Sequence, residues 1–415
     1  MSDLVSKENA GAGPHIVLYG GFGIGNTGND ATLEVALAEL KKRLPAARFT
    51  VAASMPGVVE RDFGAPAVAI REDLQRLSRL PGPLGKMVNE FRRWSATHRL
   101  MRSVDYLVVP GTGVFDDLLV TTMQHAYPMW RWCAAAKQAG AKVMFVSIGA
   151  GPVERPLNRR FFGWTAAMAD HRSYRDENAK AFVRDRLGVD TSRDVVTPDL
   201  VFGLDAPRPP LRSGARRTIG IGVMDYHTWR GEKGSADDIY EAYMGKLAAF
   251  SAGLLKQGNA IHILVGDVGD APAAADLRNR LVETAPDREG DVTIAQPGSL
   301  RDLCGEVGKT DIVVATRYHT VVSALICGRP AISLGYAEKN RAVMTDFGLG
   351  AYCQNIRDFD PGLLQRHFDE LSADLEGASA SLADVSTHLR EAVSDHLDGV
   401  AASIMESFNM DAKPT

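Results

Sequence analysis

The chain has 415 residues, of which 45% are hydrophobic and 24% are charged, and its formal net charge is −4. This length and balance predict a globular protein with two domains, because one compact core rarely extends over so many residues. Arginine clusters lie at residues 92–93, 159–160 and 216–217, but none alternates with aromatic residues, which argues against nucleic acid as a partner.

The sequence carries no pattern typical of secretion, membrane insertion or metal binding. Residues 1–13 lack the basic-then-apolar order of a secretory signal, and apolar runs such as residues 142–148 are far shorter than the roughly 20 residues of a membrane helix. The four cysteines occur singly, and the histidines have no ligand spacing. We therefore expect a cytoplasmic protein that needs neither a cofactor nor a metal.

Short apolar runs alternate with segments of helical period along the chain. Most of these runs are apolar at every position, which is typical of parallel strands that helices cover on both faces. The strands predicted in this way are residues 15–19, 49–53, 106–109, 143–148, 218–224, 261–265, 292–295, 312–315 and 331–334.

A proline-rich polar segment separates two such series and predicts a domain linker. The expected fold class is α/β, with two Rossmann-like domains facing a cleft at the carboxyl ends of their strands, where open α/β sheets bind ligands. The predicted parts are a flexible tail (1–14), an N-terminal domain on the acceptor side (15–205), a linker (206–217), a C-terminal domain on the donor side (218–350) and a helical segment (351–415).

A glycine-rich loop, GGFGIGNTGND, follows the first predicted strand and leads into a helix that Asn29 or Asp30 is expected to cap. Its glycines allow the backbone to approach a ligand, and the helix N-terminus favours an anion. Gly23, Gly25 and Gly28 match GxGxxG, but the second predicted strand ends without the acidic residue that would hold a nicotinamide ribose. A tight turn with a purely structural purpose is the alternative.

Arg317 and His319 follow the strand predicted at residues 312–315 and open a helix. If the backbone there is still extended, the two side chains face one pocket. Arginine offers a fork for phosphate or carboxylate, and histidine exchanges a proton near neutral pH, so the pair indicates an anionic donor and acid–base chemistry. The alternative is that Arg317 pairs with a nearby carboxylate and His319 caps the helix.

Other residues at predicted strand ends add to this pattern. Arg175 opens a helix after a short polar strand, and its alternative is an exposed capping cluster. Lys339 follows the strand at 331–334, and its alternative is a surface salt bridge. The turn around Thr112 and Gly113 could admit a sugar hydroxyl, and Asp116 and Asp117 beyond it could act as bases.

In this order, these segments resemble the polysaccharide pyruvyltransferase family from about residue 16 to residue 349. Five motifs of the family have counterparts in this sequence. GNxGDEA corresponds to residues 25–31, the glycine turn with its aspartate to 111–117, and GxGP to 149–152. RDE corresponds to residues 175–177 and R-aromatic-H to 317–319. A later aromatic residue and lysine match Tyr336 and Lys339, whereas Asn29 and Asp30 stand where the family usually has Asp-Glu.

The resemblance implies a fold similar to B-type glycosyltransferases and transfer of pyruvyl from phosphoenolpyruvate to a sugar of a cell-surface polysaccharide or its precursor, forming a ketal. It implies that His319 and Arg317 are catalytic and that Arg175, Arg317 and Lys339 bind the donor. The residues expected on the acceptor side are Gly23, Gly25, Asn26, Gly28, Asp30, Thr112, Gly113 and Asp116.

The partners implied are phosphoenolpyruvate and a sugar or lipid-linked saccharide, and a lipid-linked acceptor would bring the protein to a membrane surface. Two other functions remain open from the sequence. One is a glycosyltransferase of B-type fold that uses a nucleotide sugar as donor. The other is a non-catalytic module that binds sugar or phosphate without releasing phosphate.

Overall fold

The computed structural model describes residues 13–71, 82–117, 121–212, 214, 216–227 and 235–411. The chain divides into two compact units. Unit 1 comprises Met1–Leu204 with Arg390–Thr415, and unit 2 comprises Asp205–Leu389.

Unit 1 is built on a parallel sheet. Its strands are β1 (His15–Gly20), β2 (Arg48–Ala53), β3 (Ala67–Ala69), β4 (Tyr106–Pro110), β5 (Lys142–Ile148), β6 (His171–Tyr174) and β7 (Val195–Val196). Its helices are α1 (Thr27–Arg43), α2 (Pro56–Phe63), α3 (Gly82–Met101), α4 (Ala126–Gln138), α5 (Pro156–Ala167) and α6 (Glu177–Leu187). The spatial order is β3-β2-β1-β4-β5-β6-β7, with Val17 of β1 opposite Leu107 of β4.

Unit 2 repeats this arrangement. Its strands are β8 (Thr218–Val223), β9 (Ala260–Val265), β10 (Val292–Ala295), β11 (Ile312–Ala315), β12 (Ala331–Gly335) and β13 (Cys353–Asn355). Its helices are α7 (Ala236–Lys256), α8 (Ala271–Thr284), α9 (Leu300–Val307), α10 (Tyr318–Ile326), α11 (Glu338–Asp346) and α12 (Pro361–Ala373), before the long helix α13 (Leu375–Asp411). The spatial order is β10-β9-β8-β11-β12-β13, with Gly220 of β8 opposite Val313 of β11.

The apolar strands explain this architecture. Every residue of β1, β4 and β11 is buried, as expected for strands that helices cover on both faces. The predicted class of two parallel-sheet α/β domains is confirmed. In each sheet the strand order reverses beside its first strand, between β1 and β4 in unit 1 and between β8 and β11 in unit 2. Such switch points are where open α/β sheets bind ligands.

The C-terminal part of the chain is mostly helical, as predicted for residues 351–415, but a short strand precedes its helices. Cys353–Asn355 forms β13, which pairs in parallel with β12 at the sheet edge. This strand has the sequence CQN, too short and too polar for an apolar pattern to reveal it. None of the helices within the described residues is both long enough and apolar enough to cross a lipid bilayer.

The second half of α13 packs within unit 1. Leu397, Val400 and Ile404 are buried, and the Tyr106 hydroxyl donates a hydrogen bond to the Ile404 carbonyl (2.8 Å). Arg43 of α1 pairs with Asp398 at 2.6 Å. Because these contacts fix the helix against α1 and β4, the part of α13 from Arg390 onward belongs to unit 1.

His396 of α13 joins the helix to β6. Its Nε2 lies 2.9 Å from the Ser173 hydroxyl, and its ring stacks on His171 with centroids 6.1 Å apart. Burial, followed by repulsion from His171, lowers the pKa of His396 to about 4. The folded protein therefore holds this imidazole neutral at pH values where an unfolded chain would protonate it.

We expect His396 to make the stability of the protein depend on acid pH. Above pH 6.5, the pKa of histidine in an unfolded chain, the neutral His396 contributes fully to the free energy of unfolding. This contribution is lost as the pH falls toward 4, because only the unfolded chain takes up the proton. Between pH 7 and pH 5 the free energy of unfolding should fall by about 2 kcal/mol more in wild type than in His396→Gln. Urea denaturation at both pH values measures this difference, and equal losses in the two proteins would contradict it.

Candidate active site

The switch point of unit 2 places Arg317 at the end of β11, immediately before α10. Arg317 is the N-cap residue, with extended backbone (φ −70°, ψ 135°) and no side-chain cap hydrogen bond. Its Nε and Nη2 donate to the two carboxylate oxygens of Asp270 at 2.7 and 2.6 Å. The Asp270 side chain is completely buried and also accepts the backbone N–H of Asp225 at 2.9 Å. The chain after β8 and the chain after β11, which flank the switch point, therefore both bind the Asp270 carboxylate.

From the sequence, pairing of Arg317 with a nearby carboxylate was left open as an alternative, and Asp270 is that carboxylate. Burial by itself would lower the pKa of the guanidinium, but the hydrogen bonds and charge of Asp270 outweigh burial and raise that pKa above its usual value. The Arg317 side chain remains 23% exposed. Asp270 thus anchors a permanent cation that still reaches the surface of the unit.

His319 lies in the first turn of α10, where it is half-buried. The extended backbone assumed from the sequence ends at Arg317, because the helix already begins at Tyr318. The expectation that His319 and Arg317 point the same way, as residues two apart do in a strand, therefore does not apply. Its imidazole instead contacts the Tyr318 ring, with centroids 5.5 Å apart.

Two tyrosines connect Lys339 to this region. The Lys339 ammonium, in the first turn of α11, lies 5.1 Å from the centroid of the Tyr318 ring and 5.7 Å from that of Tyr336. Burial raises the pKa of Tyr336, whose hydroxyl is hydrogen-bonded to Arg317. The structure thus brings Arg317, His319 and Lys339 of unit 2 together around two aromatic rings.

A glycine at the end of β9 allows this close packing. A Cβ atom on Gly266 would lie 2.3 Å from Thr320 Oγ1 and 3.3 Å from Arg317 Cβ. The buried Thr320 hydroxyl has no hydrogen-bond partner among the described residues. Asn340 of α11 donates to the Thr316 carbonyl at 3.3 Å and ties α11 to the end of β11. A side chain at position 266 would therefore overlap Thr320 and press on Arg317, and only glycine leaves room for both.

A histidine and an aspartate follow β8 at the same switch point. His227 Nε2 lies 3.1 Å from Asp225 Oδ1, and the imidazole stacks on Tyr240 with centroids 4.7 Å apart and an interplanar angle of 9°. Asp225 also binds Asp270 through its backbone N–H, so it links His227 to the Arg317 anchor. The position of His227 after a strand was visible in the sequence, whereas nothing there marked Asp270.

The glycine loop of unit 1 follows β1. Asn26, not Asn29 or Asp30, caps α1: its side chain accepts the N–H of Asn29 at 3.2 Å, so the predicted cap is wrong by three or four residues. The Asp30 carboxylate instead reaches back to the N–H of Gly23 at 2.8 Å. Burial raises the pKa of Asp30. Gly23 has φ +79°, and a Cβ there would lie 2.8 Å from the Met55 carbonyl oxygen.

The other predicted acceptor residues of this loop differ in exposure. Gly25 is exposed and has φ +81°, and Asn26 is half-buried. Gly28 is buried in the first turn of α1. Gly25 and Asn26 can therefore meet a ligand, whereas Gly23 and Gly28 shape the loop from inside.

A second strained turn follows β4, at the switch point beside the glycine loop. Gly111 and Thr112 both have positive φ (51° and 62°), and Thr112 is one of two non-glycine residues in this conformation among the described residues. A Cβ on Gly111 would lie 2.3 Å from Thr32 Cγ2 of α1. Strain of this kind costs energy and is found preferentially at functional sites.

The two aspartates after this turn have different roles. The half-buried Asp116 carboxylate lies close to Gly113, where an added Cβ would be 2.9 Å from its Oδ2. Asp117 is buried and accepts hydrogen bonds from the backbone N–H groups of Glu154 and Arg155. Asp117 therefore holds a loop in place and is a poor candidate for a base.

Arg175 follows β6 of unit 1. Its Nη1 lies 3.2 Å from Asp199 Oδ2, and its guanidinium packs over Gly149, where a Cβ would be 2.7 Å from Arg175 Cζ. The predicted donor-binding residues are thus divided, with Arg175 in unit 1 and Arg317 and Lys339 in unit 2. Within the described residues, no group of three or more His, Cys, Asp or Glu side chains could hold a metal ion.

Comparison with known proteins identifies the family of this chain. The family model described as polysaccharide pyruvyl transferase matches residues 26–338, which include the switch point of unit 2 and the strands of unit 1 after β1. The chain belongs to the polysaccharide pyruvyl transferase family. No curated protein sequence matches the chain.

Solved structures share the fold of this polysaccharide pyruvyl transferase at low sequence identity. A putative UDP-N-acetylglucosamine 2-epimerase from Listeria monocytogenes has a TM-score of 0.61 and 13% identity, covering 97% of this chain and 98% of its own. MurG from Acinetobacter baumannii has a TM-score of 0.57 and 15% identity, covering 94% and 99%. The UDP-GlcNAc 2-epimerase from Neisseria meningitidis has a TM-score of 0.60 and 13% identity, covering 95% and 99%. These similarities support the B-type two-domain fold.

Removing the Asp270 carboxylate should destabilise the protein. Asp270→Ala leaves the Arg317 guanidinium and the Asp225 N–H without their buried acceptor, so the free energy of unfolding should fall by about 3 kcal/mol. Asp237→Ala, on a side chain that is 90% exposed, is the matched control and should change it by less than about 0.5 kcal/mol. Chemical denaturation measures both, and equal stability of the two variants would rule out Asp270 as the anchor.

Proposed function

We propose that this member of the polysaccharide pyruvyl transferase family uses phosphoenolpyruvate as donor and forms a pyruvate ketal on a sugar. The observation that carries the proposal is the fixed Arg317 fork on Asp270, at the start of α10 and beside Lys339. Phosphoenolpyruvate has a phosphate and a carboxylate close together, and both need cationic or N–H partners.

Two neighbouring helix N-termini support binding of such an anion. The N-cap residues of α10 and α11, Arg317 and Ala337, make no side-chain cap hydrogen bond. Helix N-termini carry partial positive charge and unpaired N–H groups that favour anions. The two helices follow adjacent parallel strands, β11 and β12, so their N-termini lie at the same sheet edge. Lys339 adds a full positive charge at this edge, and Arg317, whose charge Asp270 balances, adds further N–H donors.

In the proposed reaction His319 gives a proton to the methylene carbon of phosphoenolpyruvate, which leaves the central carbon cationic. A sugar hydroxyl adds to that carbon and loses its proton. The bond from the central carbon to the phosphate oxygen then breaks and inorganic phosphate leaves, stabilised by Arg317 and Lys339. A second hydroxyl of the same sugar adds and loses its proton, which closes the ketal. One of the two hydroxyl protons returns to His319 and the other leaves on the inorganic phosphate, so the protons balance and no oxidant or reductant is needed.

Unit 1 would supply the acceptor side. The exposed glycine loop at Gly25 and Asn26, and the strained turn at Thr112 with the nearby Asp116, present backbone groups and a carboxylate suited to sugar hydroxyls. The acceptor would be a saccharide of a cell-surface polysaccharide or its lipid-linked precursor. We place the reaction in the cytoplasm, where the donor would be available as a metabolite.

Donor binding should stabilise the protein against heat. Phosphoenolpyruvate at about 100 times its dissociation constant should add about 2.7 kcal/mol of stability, and Arg317→Gln should abolish that gain. Arg278→Gln, which removes a surface arginine paired with Glu289, is the matched control and should keep it. Stabilisation by UDP, GDP or their sugars in place of phosphoenolpyruvate would make the protein a nucleotide-sugar glycosyltransferase and overturn the proposal.

His319→Ala should bind the donor but transfer it slowly. General acid catalysis contributes about 100-fold to 10,000-fold, so phosphate release from phosphoenolpyruvate in the presence of acceptor should fall by a factor in this range. The thermal shift with phosphoenolpyruvate should remain, which shows that the variant is folded. An unchanged rate would exclude His319 as the proton donor, and a wild-type protein that binds phosphoenolpyruvate but releases no phosphate with any saccharide would be a binding module.

A further inference from the structure

Helix α3 of unit 1 presents large apolar side chains to solvent. Leu84, Met87 and Phe91 are 65%, 64% and 73% exposed. Their spacing of three and four residues puts them on one face of the helix, opposite the residues that pack into the core. Single exposed apolar residues are common, but a stripe of three along about two turns of helix is typical of an interaction surface.

The helices that pack beside α3 continue this surface. α3 packs on α4, and α4 packs on α5. Aromatic rings join all three helices through contacts of 5.5 to 6.3 Å between centroids, such as Trp94 with Trp130 and Trp130 with Trp164. On α5, Trp164 is 49% exposed and Leu157 is 52% exposed. We call the exposed side chains of these three helices the α3–α5 surface.

The α3–α5 surface carries an excess of positive charge. The three helices contain eight Lys or Arg residues and one acidic residue, so their formal charge is +7 in a chain of net charge −4. The acidic residue, Glu90, is engaged by Arg93, Arg131 and Tyr127. The exposed charged side chains of the three helices are all basic: Lys86, Arg92, Arg99, Lys137, Arg159 and Arg160. Of these, Lys137 pairs with Asp170 at 2.7 Å.

A groove of about 550 Å³ opens beside Trp164 and is lined by arginines. Arg159 and Arg160 form part of its wall, together with Leu187 and Trp164. Arg172 and Asp190 also line the groove, and the Arg172 guanidinium is paired with Asp194. The Arg160 guanidinium lies 6.0 Å from the centroid of the Trp164 ring. Arginine side chains beside Trp164 and Leu187 match the chemistry of a phosphate headgroup attached to acyl chains.

We propose that the α3–α5 surface binds an anionic lipid bilayer. Its exposed Leu, Met, Phe and Trp side chains enter the boundary between headgroups and acyl chains, while its Lys and Arg side chains pair with lipid phosphates. Charge complementarity favours this occupant, because an anionic membrane offers both an apolar layer and a dense negative surface. The inference goes beyond the proposed reaction and does not depend on it.

Sedimentation with lipid vesicles tests the proposal. The full chain, without donor or acceptor, should sediment with vesicles of 70% phosphatidylcholine and 30% phosphatidylglycerol but not with vesicles of phosphatidylcholine alone, and high salt should release it. The triple variant Leu84→Gln, Met87→Gln, Phe91→Gln should bind about tenfold more weakly or worse, as should Arg159→Gln with Arg160→Gln. All these side chains are exposed, so the variants should keep the wild-type melting temperature.

Two matched controls separate the α3–α5 surface from general effects. Val268→Gln replaces an apolar residue that is 72% exposed in unit 2, and Arg61→Gln removes an exposed arginine of α2. Both should sediment like wild type. Absence of binding to the phosphatidylglycerol vesicles, or equal binding by wild type and the α3 triple variant, would overturn the proposal. A wild-type dimer that the triple variant converts to a monomer, without vesicle binding, would assign the surface to a second copy of the chain.

Discussion

The ion pair between Arg317 and Asp270 determines the geometry of the candidate site in unit 2. A guanidinium at the end of a buried strand would be costly without an acceptor, and Asp270 supplies two hydrogen bonds from a completely buried position. The same carboxylate accepts the Asp225 N–H, so it also fixes the chain after β8. Gly266 leaves the space in which this arrangement fits. Loss of the carboxylate would release both strand ends of the switch point.

The two proposals for this protein depend on separate parts of the chain. The donor proposal rests on cations and helix N-termini in unit 2, around Arg317 and Lys339. The lipid proposal rests on the exposed apolar and basic side chains of α3, α4 and α5 in unit 1. Membrane binding and pyruvyl transfer can therefore be measured and refuted independently.

Local patterns in the sequence predicted much of the fold. Continuous apolar runs located the central strands of both sheets within one or two residues, because a strand buried on both faces must be apolar throughout. β13 escaped this reasoning because it has no apolar pattern, and the cap of α1 is Asn26, one of four residues within 26–30 able to cap a helix. The direction of the His319 side chain depended on where α10 begins, which the sequence left open.

The sequence by itself determined the α/β class, the position of the glycine loop and the placement of Arg317, His319 and Lys339 at strand ends, since these follow from burial period and turn chemistry. Only the tertiary structure decided which charges meet. Asp270 reaches Arg317 across 47 residues because β8, β9 and β11 are neighbours in the sheet, and Asp117 became internal because its loop folds onto it. The packing of residues beyond Arg390 in unit 1 likewise depends on contacts between distant segments, which no local pattern encodes.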